Sequence, residues 1–228
     1  MPEVICLQGG AEFGELCREM DADLLRRAGG GPVVITALAG APGREYRTAG
    51  DNGVRHFTSL GAKDATVAPD VREDEAGALA ALRRARLLVL PGGSPSRLLA
   101  ALQDTPVGAL LGSLLADGAV VSGSSAGAMV LCDWTVLPDR RGPRGTVVER
   151  GLGLVPDLLV VPHWSGGSSR GEWLRAVEQT VPSGVRVLGL PEQSGVLVDG
   201  RRLTAVGASA TTLVSEGGRE LPVGQSLS

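Results

Sequence analysis

Short, unbroken apolar runs alternate along this chain with stretches in which apolar residues recur every three or four positions. Unbroken Val, Leu and Ile runs are typical of strands that are buried on both faces, as in parallel sheets. Such runs predict strands at residues 4–8, 33–39, 87–90, 119–121, 158–161 and 185–190. The helical spacing predicts helices at residues 12–28, 74–84, 96–103, 107–117 and 171–181.

This alternation of strands and helices predicts an α/β fold with a doubly wound, mostly parallel sheet and helices on both faces. The tail has a different pattern, because short apolar runs at 195–198, 202–206 and 211–215 are separated by glycine-containing turns. These runs predict a short antiparallel C-terminal extension. A length of 228 residues fits one domain, so we expect residues 1–228 to fold together.

The segment Gly123-Ser124-Ser125-Ala126-Gly127 lies between the apolar run 118–121 and the helical run 128–131. It matches the G-x-S-x-G nucleophile elbow, in which a strand turns sharply into a helix. Small residues tolerate the close backbone approach of such a turn. The turn raises the Ser125 hydroxyl above the sheet edge and directs helix amides at the group it attacks. The motif indicates covalent serine catalysis, with a glycine-rich turn of no chemical role as the alternative.

A serine hydroxyl becomes a good nucleophile only when a base accepts its proton, and the chain has two histidines. His163 follows the predicted strand 158–161, at the strand's carboxyl end, where sites assemble in open α/β sheets. His56 lies in a stretch with no such signal, and we interpret it as structural. His163 is therefore the candidate base, and a packed loop histidine is the alternative interpretation.

The base needs an acceptor for its second ring nitrogen. Glu192 follows the predicted strand 185–190 and should reach the same edge of the sheet. Asp133 is weaker, since we expect it two turns along the elbow helix and pointing away. Asp157 is also weaker, because it begins the strand that His163 ends. The order Ser, His, acid differs from that of α/β-hydrolases, in which the acid precedes the histidine.

The segment Leu90-Pro91-Gly92-Gly93-Ser94 also follows a predicted strand and opens a helix. Glycine at position 93 lets a backbone N–H approach a ligand closely. We therefore expect the amides of Gly93 and Ala126 to form an oxyanion hole. Gly92 and Ser94, on the same turn, are expected to contact the substrate.

Composition and charge exclude several other classes of function. The net charge is −3 and aromatic residues make up 3% of the chain, which argues against nucleic-acid binding. No apolar run is long enough to span a bilayer. The three cysteines, Cys6, Cys17 and Cys132, lack disulfide-framework or metal-site spacing. We therefore expect no nucleic-acid partner, no membrane partner and no metal.

The first residues lead into a predicted strand without a basic stretch, so we expect no signal peptide and a cytoplasmic location. Residues 9–14, Gly-Gly-Ala-Glu-Phe-Gly, follow that strand, but their glycine spacing misses the dinucleotide-binding G-x-G-x-x-G pattern. We therefore predict no nucleotide site and no cofactor.

Four segments carry a family resemblance: Leu90-Pro91-Gly92-Gly93, the elbow through Ala128, Gly151-Leu152-Gly153-Leu154 leading to Pro162-His163, and Gly189-Leu190-Pro191-Glu192. Together they resemble the cyanophycinase and dipeptidase E (aspartyl dipeptidase) family of serine peptidases, over residues 4–214. The resemblance implies a fold similar to class I glutamine amidotransferases, with serine replacing their cysteine. It further implies a triad of Ser125 as nucleophile, His163 as base and Glu192 as orienting acid, a small peptide substrate, and a homodimer.

The resemblance also bears on substrate selection. Leu174 stands where dipeptidase E members place an arginine that recognises an N-terminal aspartate, whereas Arg170 resembles arginines that follow the histidine in cyanophycinases. We expect Arg170, with Arg140 or Arg144, to bind a substrate carboxylate. Residues 137–150 are polar and rich in turn formers, which predicts a surface loop that could overhang the site.

The sequence therefore predicts a serine peptidase that hydrolyses short peptides or isopeptides through an acyl-enzyme. Two alternatives remain open. A glutamine amidotransferase-like amidase would use cysteine at the elbow and a His-x-Glu pair, where this chain has His163-Trp164-Ser165. A binding protein with a decayed site is the other alternative.

Overall fold

Two β-sheets and seven α-helices make up the fold in a computed structural model that describes residues 3–138, 145–166 and 171–228. The strands are β1 (Val4–Gln8), β2 (Val33–Ile35), β3 (Ala65–Val67), β4 (Leu87–Leu90), β5 (Val120–Ser124), β6 (Cys132–Pro138), β7 (Thr146–Arg150), β8 (Val155–Pro162), β9 (Arg186–Leu190), β10 (Ser194–Asp199), β11 (Arg202–Gly207), β12 (Thr211–Leu213), β13 (Arg219–Leu221) and β14 (Ser226–Leu227). The helices are α1 (Arg18–Arg27), α2 (Arg44–Ser59), α3 (Glu75–Leu82), α4 (Pro95–Gln103), α5 (Val107–Ala116), α6 (Ala126–Leu131) and α7 (Gly171–Thr180).

The first sheet has eight strands in the order β14-β11-β10-β1-β5-β4-β2-β3. Strands β1, β5, β4, β2 and β3 are parallel neighbours, and β10, β11 and β14 extend this sheet in antiparallel fashion. Every residue of β4 and β5 is buried, as the unbroken apolar runs predict. The predicted α/β class, its parallel core and its antiparallel C-terminal strands are confirmed.

The second sheet has six strands in the order β13-β12-β9-β8-β6-β7, with β6, β8 and β9 parallel. The predicted strands 158–161 and 185–190 therefore belong to a sheet of their own, which the sequence pattern did not separate from the first. Helix α6 explains the division. All six of its residues are buried, and it contacts β5 of the first sheet and β6 and β8 of the second. A helix buried between two sheets holds them in one core, and residues of both sheets share a single hydrophobic cluster.

The predicted surface loop at 137–150 is partly wrong. Residues 137–138 end β6 and 146–150 form β7, and these two strands pair antiparallel, with Leu137 opposite Val147. The sequence interpretation relied on turn formers such as Pro138. The edge strand β7 instead forms because its residues pair with β6. Arg140 and Arg144 lie outside the described residues.

The first predicted helix begins later than expected. Helix α1 begins at Arg18, after a short 3₁₀ turn at Glu15–Cys17. Ala11 and Phe13 have φ angles of 51° and 66°, which a right-handed helix does not accommodate. Glu12 therefore lies in the loop after β1 rather than on a helix. Helix α2 and strand β3 were not predicted from the sequence.

Within the described residues no single helix combines the length and apolar character that crossing a membrane requires. The bent pair α4 and α5 passes that test of length and composition only when the two helices are taken together.

Candidate active site

The loops that carry the predicted site residues leave the two sheets at the carboxyl ends of parallel strands. In the first sheet, Leu90 pairs with Gly123 and Gln8 pairs with Ser124, so β1, β4 and β5 end side by side. In the second sheet, Pro162 pairs with Leu190, so β8 and β9 also end together. Crevices at such strand ends are where α/β proteins assemble their sites.

The loop after β1 joins these two edges through backbone hydrogen bonds. The His163 N–H donates to the Gly9 carbonyl at 2.8 Å, and the Gly9 N–H donates to the Ser194 carbonyl at 2.8 Å. The Gln193 N–H donates to the Gly10 carbonyl at 2.9 Å. These bonds fix the segments that carry His163 and Glu192 against the first sheet.

The nucleophile elbow, residues 123–127, has the strained backbone that its motif predicts. Ser125 has φ 49° and ψ −108°, and its N–H donates to the Gln8 carbonyl at 2.9 Å. A Cβ added at Gly127 would lie 2.3 Å from the Leu90 carbonyl oxygen, and one at Gly123 would lie 2.5 Å from Gly127. Only glycine therefore fits these two positions, because α6 lies directly against β4 and β5.

The structure brings Ser125, His163 and Glu192 together. Ser125 Oγ lies 2.9 Å from His163 Nε2, and His163 Nδ1 lies 3.0 Å from Glu192 Oε1. The side chains of His163 and Glu192 are 38% and 59% exposed. When Glu192 accepts the proton on Nδ1, Nε2 is left as an acceptor for the serine hydroxyl proton.

Gly10 packs against the imidazole of His163. A Cβ built on Gly10 would lie 2.3 Å from His163 Cε1 and 2.6 Å from Nδ1, and Gly10 has a φ of +124°. The absence of a side chain at Gly10 thus leaves space for the histidine ring.

The Gly-Gly turn, Gly92-Gly93, lies beside the elbow. A Cβ on Gly92 would lie 3.2 Å from Ser125 Cβ. Within the described part of the chain the Gly93 N–H has no hydrogen-bond acceptor, and Gly93 is exposed. Ala126 is fully buried and is the first residue of α6, where an amide has no partner within its helix.

Ser94 has a structural contact that the sequence did not predict. Its Oγ accepts the Arg97 N–H at 3.3 Å and caps α4, which has Pro95 at its first position. Contact of Ser94 or Gly92 with a substrate stays a prediction. Arg170 lies outside the described residues, as do Arg140 and Arg144.

Glu12 is the residue of this site that sequence reasoning missed. Its Oε1 accepts the Gly92 N–H at 2.8 Å, and its Oε2 accepts the Ser124 hydroxyl at 3.0 Å. The sequence interpretation placed Glu12 on a helix, where nothing about it indicated a role. The only available signal was its position shortly after a buried strand, two glycines and Ala11.

The weaker candidates lie away from Ser125. Asp133 belongs to β6 and pairs with Arg150, so its predicted place on the elbow helix is wrong, because α6 ends at Leu131. Asp157 lies near the start of β8, at the end opposite His163. His56 is buried and bonds to Asp21 at 2.8 Å, in keeping with a structural histidine.

Within residues 3–138, 145–166 and 171–228, no group of three or more His, Cys, Asp or Glu side chains is arranged to hold a metal ion.

The fold and the elbow define an α/β protein whose polar site lies at the carboxyl ends of its parallel strands. Residues 46–206 match the family model described as Peptidase family S51. That match covers more than half of the chain, and the chain belongs to peptidase family S51. The resemblance indicated by the sequence motifs is thereby confirmed.

Curated relatives of this chain include cyanophycinases. The cyanophycinase of Trichormus variabilis is 31% identical over 178 residues, which are 74% of this chain and 59% of the relative. That of Geminocystis herdmanii is 28% identical over 200 residues, 84% of this chain and 69% of the relative. The match to the Trichormus protein thus spans about three fifths of its length.

Two solved structures have a similar fold. A peptidase from an acI-B1 actinobacterium superposes with a TM-score of 0.80 at 21% identity, over 100% of this chain and 97% of its own. A protein assigned to peptidase E from Listeria monocytogenes EGD-e gives a TM-score of 0.68 at 16% identity, over 92% of this chain and 100% of its own. At these identities the likeness concerns the fold.

Proposed function

We propose that this protein is a serine peptidase that hydrolyses short peptides or isopeptides through an acyl-enzyme. The observation that carries the proposal is the continuous hydrogen-bonded series from Ser125 Oγ to His163 Nε2 and from His163 Nδ1 to Glu192, at 2.9 and 3.0 Å. Membership of peptidase family S51 supports the same chemistry.

In the first half-reaction Ser125 Oγ attacks the scissile carbonyl carbon while His163 Nε2 accepts the hydroxyl proton. Glu192 holds the Nδ1–H tautomer of His163 and stabilises the imidazolium. The carbonyl oxygen becomes an oxyanion, and the amides of Gly93 and Ala126 donate hydrogen bonds to it. Ala126 is fully buried, so a free substrate does not reach its amide. The amide can donate to the oxyanion only once the substrate carbon is bonded to Ser125 Oγ, which brings the oxyanion next to it.

The His163 imidazolium then protonates the leaving amine, and the C–N bond breaks to give the acyl-enzyme, which completes the first half-reaction. In the second half-reaction water attacks the acyl-enzyme while His163 accepts its proton, and the ester bond to Ser125 breaks as His163 returns that proton to Ser125 Oγ. Ser125 recovers its proton, so the net reaction is hydrolysis of one amide bond.

A substrate carboxylate is the recognition element that we propose, with Arg170 and either Arg140 or Arg144 as its partners. Membership of a peptidase family, together with relatives named cyanophycinases, supports a peptide or isopeptide substrate. A panel of dipeptides with N-terminal aspartyl, β-aspartyl and neutral residues tests this choice. Removing the charge of Arg170 should raise KM most for acidic substrates, and an unchanged selectivity profile would rule out its role.

The nucleophile is tested by Ser125→Ala. We expect turnover to fall by at least about 10⁴-fold with the fold retained, because the nucleophile is lost while the binding surface remains. A fluorophosphonate probe should label the unmodified protein at Ser125 and leave the variant unlabelled. Ser96→Ala removes an exposed hydroxyl on α4 and serves as the matched control, with labelling unchanged. Equal activity in Ser125→Ala would eliminate the proposal.

The homodimer, the cytoplasmic location and the absence of nucleic-acid and membrane partners stay predictions from sequence. Light scattering after size-exclusion chromatography tests the homodimer, which predicts twice the 23.3 kDa of one chain.

A further inference from the structure

The carboxylate of Glu12 connects two loops that carry different parts of the site. Its Oε1 accepts the backbone N–H of Gly92, which begins the Gly-Gly turn, at 2.8 Å. Its Oε2 accepts the hydroxyl of Ser124, the last residue of β5 before the nucleophile, at 3.0 Å. Glu12 itself lies on the loop after β1. One side chain therefore links the ends of β1, β4 and β5.

The bridge lies next to the nucleophile. A Cβ built on Gly92 would lie 3.1 Å from Glu12 Oε1 and 3.2 Å from Ser125 Cβ. Gly92 is therefore in close contact with both side chains. A displacement of the Gly-Gly turn would change the distance between its amides and the carbonyl that Ser125 attacks.

The Gly-Gly turn needs such a bridge, because two consecutive glycines have little conformational preference of their own. The Gly93 N–H has no acceptor within the described residues. The residues on either side of Gly93 are held by hydrogen bonds. The Gly92 N–H donates to Glu12, and the Ser94 N–H donates to the Ala39 carbonyl at 3.0 Å. Oxyanion stabilisation depends on donors that are already aligned before the charge develops. An anchor on each side supplies that alignment.

We propose that Glu12 is a positioning residue that fixes the Gly-Gly turn, and with it the Gly93 amide, relative to the nucleophile elbow. This inference rests on the proposed function. A carboxylate charge beside a developing oxyanion would oppose catalysis, so its two hydrogen bonds, rather than its charge, are the useful feature of Glu12.

The substitution Glu12→Gln separates the bridge from the charge. The glutamine Oε1 can accept the Gly92 N–H, and its Nε2 can donate to Ser124 Oγ, because a hydroxyl accepts as well as donates. Glu12→Ala removes both bonds. Glu15→Ala is the matched control, since Glu15 begins the 3₁₀ turn that follows the same loop and its side chain is 86% exposed.

The kinetic test is the rate at which a fluorophosphonate probe labels Ser125. We expect Glu12→Ala to lower the limiting rate of labelling about 10- to 100-fold with the probe's half-saturating concentration unchanged, since alignment affects the transition state more than binding. Glu12→Gln should stay within about 3-fold of the unmodified protein, and so should Glu15→Ala. If Glu12→Ala does not fold, Glu12→Asp takes its place, because the shorter side chain cannot span both partners.

A second measurement does not depend on activity. Hydrogen exchange should be faster in Glu12→Ala in the peptide that contains Gly92-Gly93-Ser94, and unchanged in Glu12→Gln and Glu15→Ala.

Equal exchange and equal labelling in Glu12→Ala and Glu15→Ala would overturn the proposal. Loss of labelling in Glu12→Gln as large as in Glu12→Ala would overturn it as well, in favour of a role for the charge. If the folded, unmodified protein is not labelled at all, the proposed function fails, and hydrogen exchange still decides whether Glu12 holds the turn.

Discussion

On the scale of single residues, unusual backbone conformations are concentrated at the candidate active site. Six non-glycine residues have a positive φ in the part of the chain that the structure describes. Five of them lie on the loops that carry the site, and these are Ala11, Phe13, Ser125, His163 and Gln193. Such conformations cost free energy and persist where surrounding contacts impose them. For Ser125, His163 and Gln193, hydrogen bonds from their N–H groups to the carbonyls of Gln8, Gly9 and Gly10 supply those contacts.

The contact between Gly10 and the His163 ring leads to a prediction for a single substitution. Gly10→Ala should lower activity by about 10²-fold or more, because the new Cβ would overlap the imidazole and displace Nε2 from Ser125. The measurement is hydrolysis and fluorophosphonate labelling of the folded variant.

Gly61→Ala is the matched control for that experiment. Gly61 has a φ of +97°, and apart from Gly61 and its two chain neighbours no atom of the described residues lies within 4 Å of a Cβ built there. It therefore carries a similar backbone penalty without touching the site. Retention of activity in Gly10→Ala at the level of Gly61→Ala would contradict the prediction.

On the scale of helices and strands, the two histidines lie in different environments. His56 on α2 bonds to Asp21 on α1 at 2.8 Å, and Asp21 also accepts the Gln8 side-chain amide of β1 at 2.8 Å. All three residues are buried, so this polar group joins two helices to the central strand.

We expect His56→Ala to lower the free energy of unfolding by about 3 kcal/mol, because it leaves the buried Asp21 carboxylate without one partner. The folded fraction should keep its activity. His163→Ala should do the reverse, with activity lost and stability little changed, since its ring is 38% exposed. Urea unfolding at neutral pH together with activity assays checks both, and equal destabilisation by the two variants would contradict this division of roles.

The strands and the elbow that could be predicted from the sequence were those encoded by a pattern of neighbouring residues. The apolar runs that form β4, the first four residues of β1 and the first two residues of β5 lie in the sheet where the sequence places them. Strand β7 escaped prediction, because its residues are mostly partly buried or exposed and its pairing with β6 defines it. The elbow was recognisable because its small residues follow a strand directly.

At the scale of the whole molecule, the three cysteines are free and buried. Burial raises the pKa of the Cys17 thiol to about 12 and raises that of Cys6 and Cys132 further. A raised pKa keeps each thiol protonated at pH 8, and the thiolate is the reactive form. We therefore expect no reaction with a disulfide reagent in the folded protein at pH 8 and three equivalents in denaturant. Reaction of one thiol before unfolding would contradict this.

The amino-acid sequence alone determined the α/β class, the parallel core strands, the elbow and the choice of Ser125, His163 and Glu192 as candidates. These features depend on neighbouring residues, since a buried strand and the turn that follows it are encoded within a few positions of each other. Only the tertiary structure decided that the strands form two sheets around α6, that Gly10 lies against His163, and that Glu12 reaches Gly92, 80 positions away. Such contacts arise from the packing of distant segments, and no local pattern of apolar and polar residues records them.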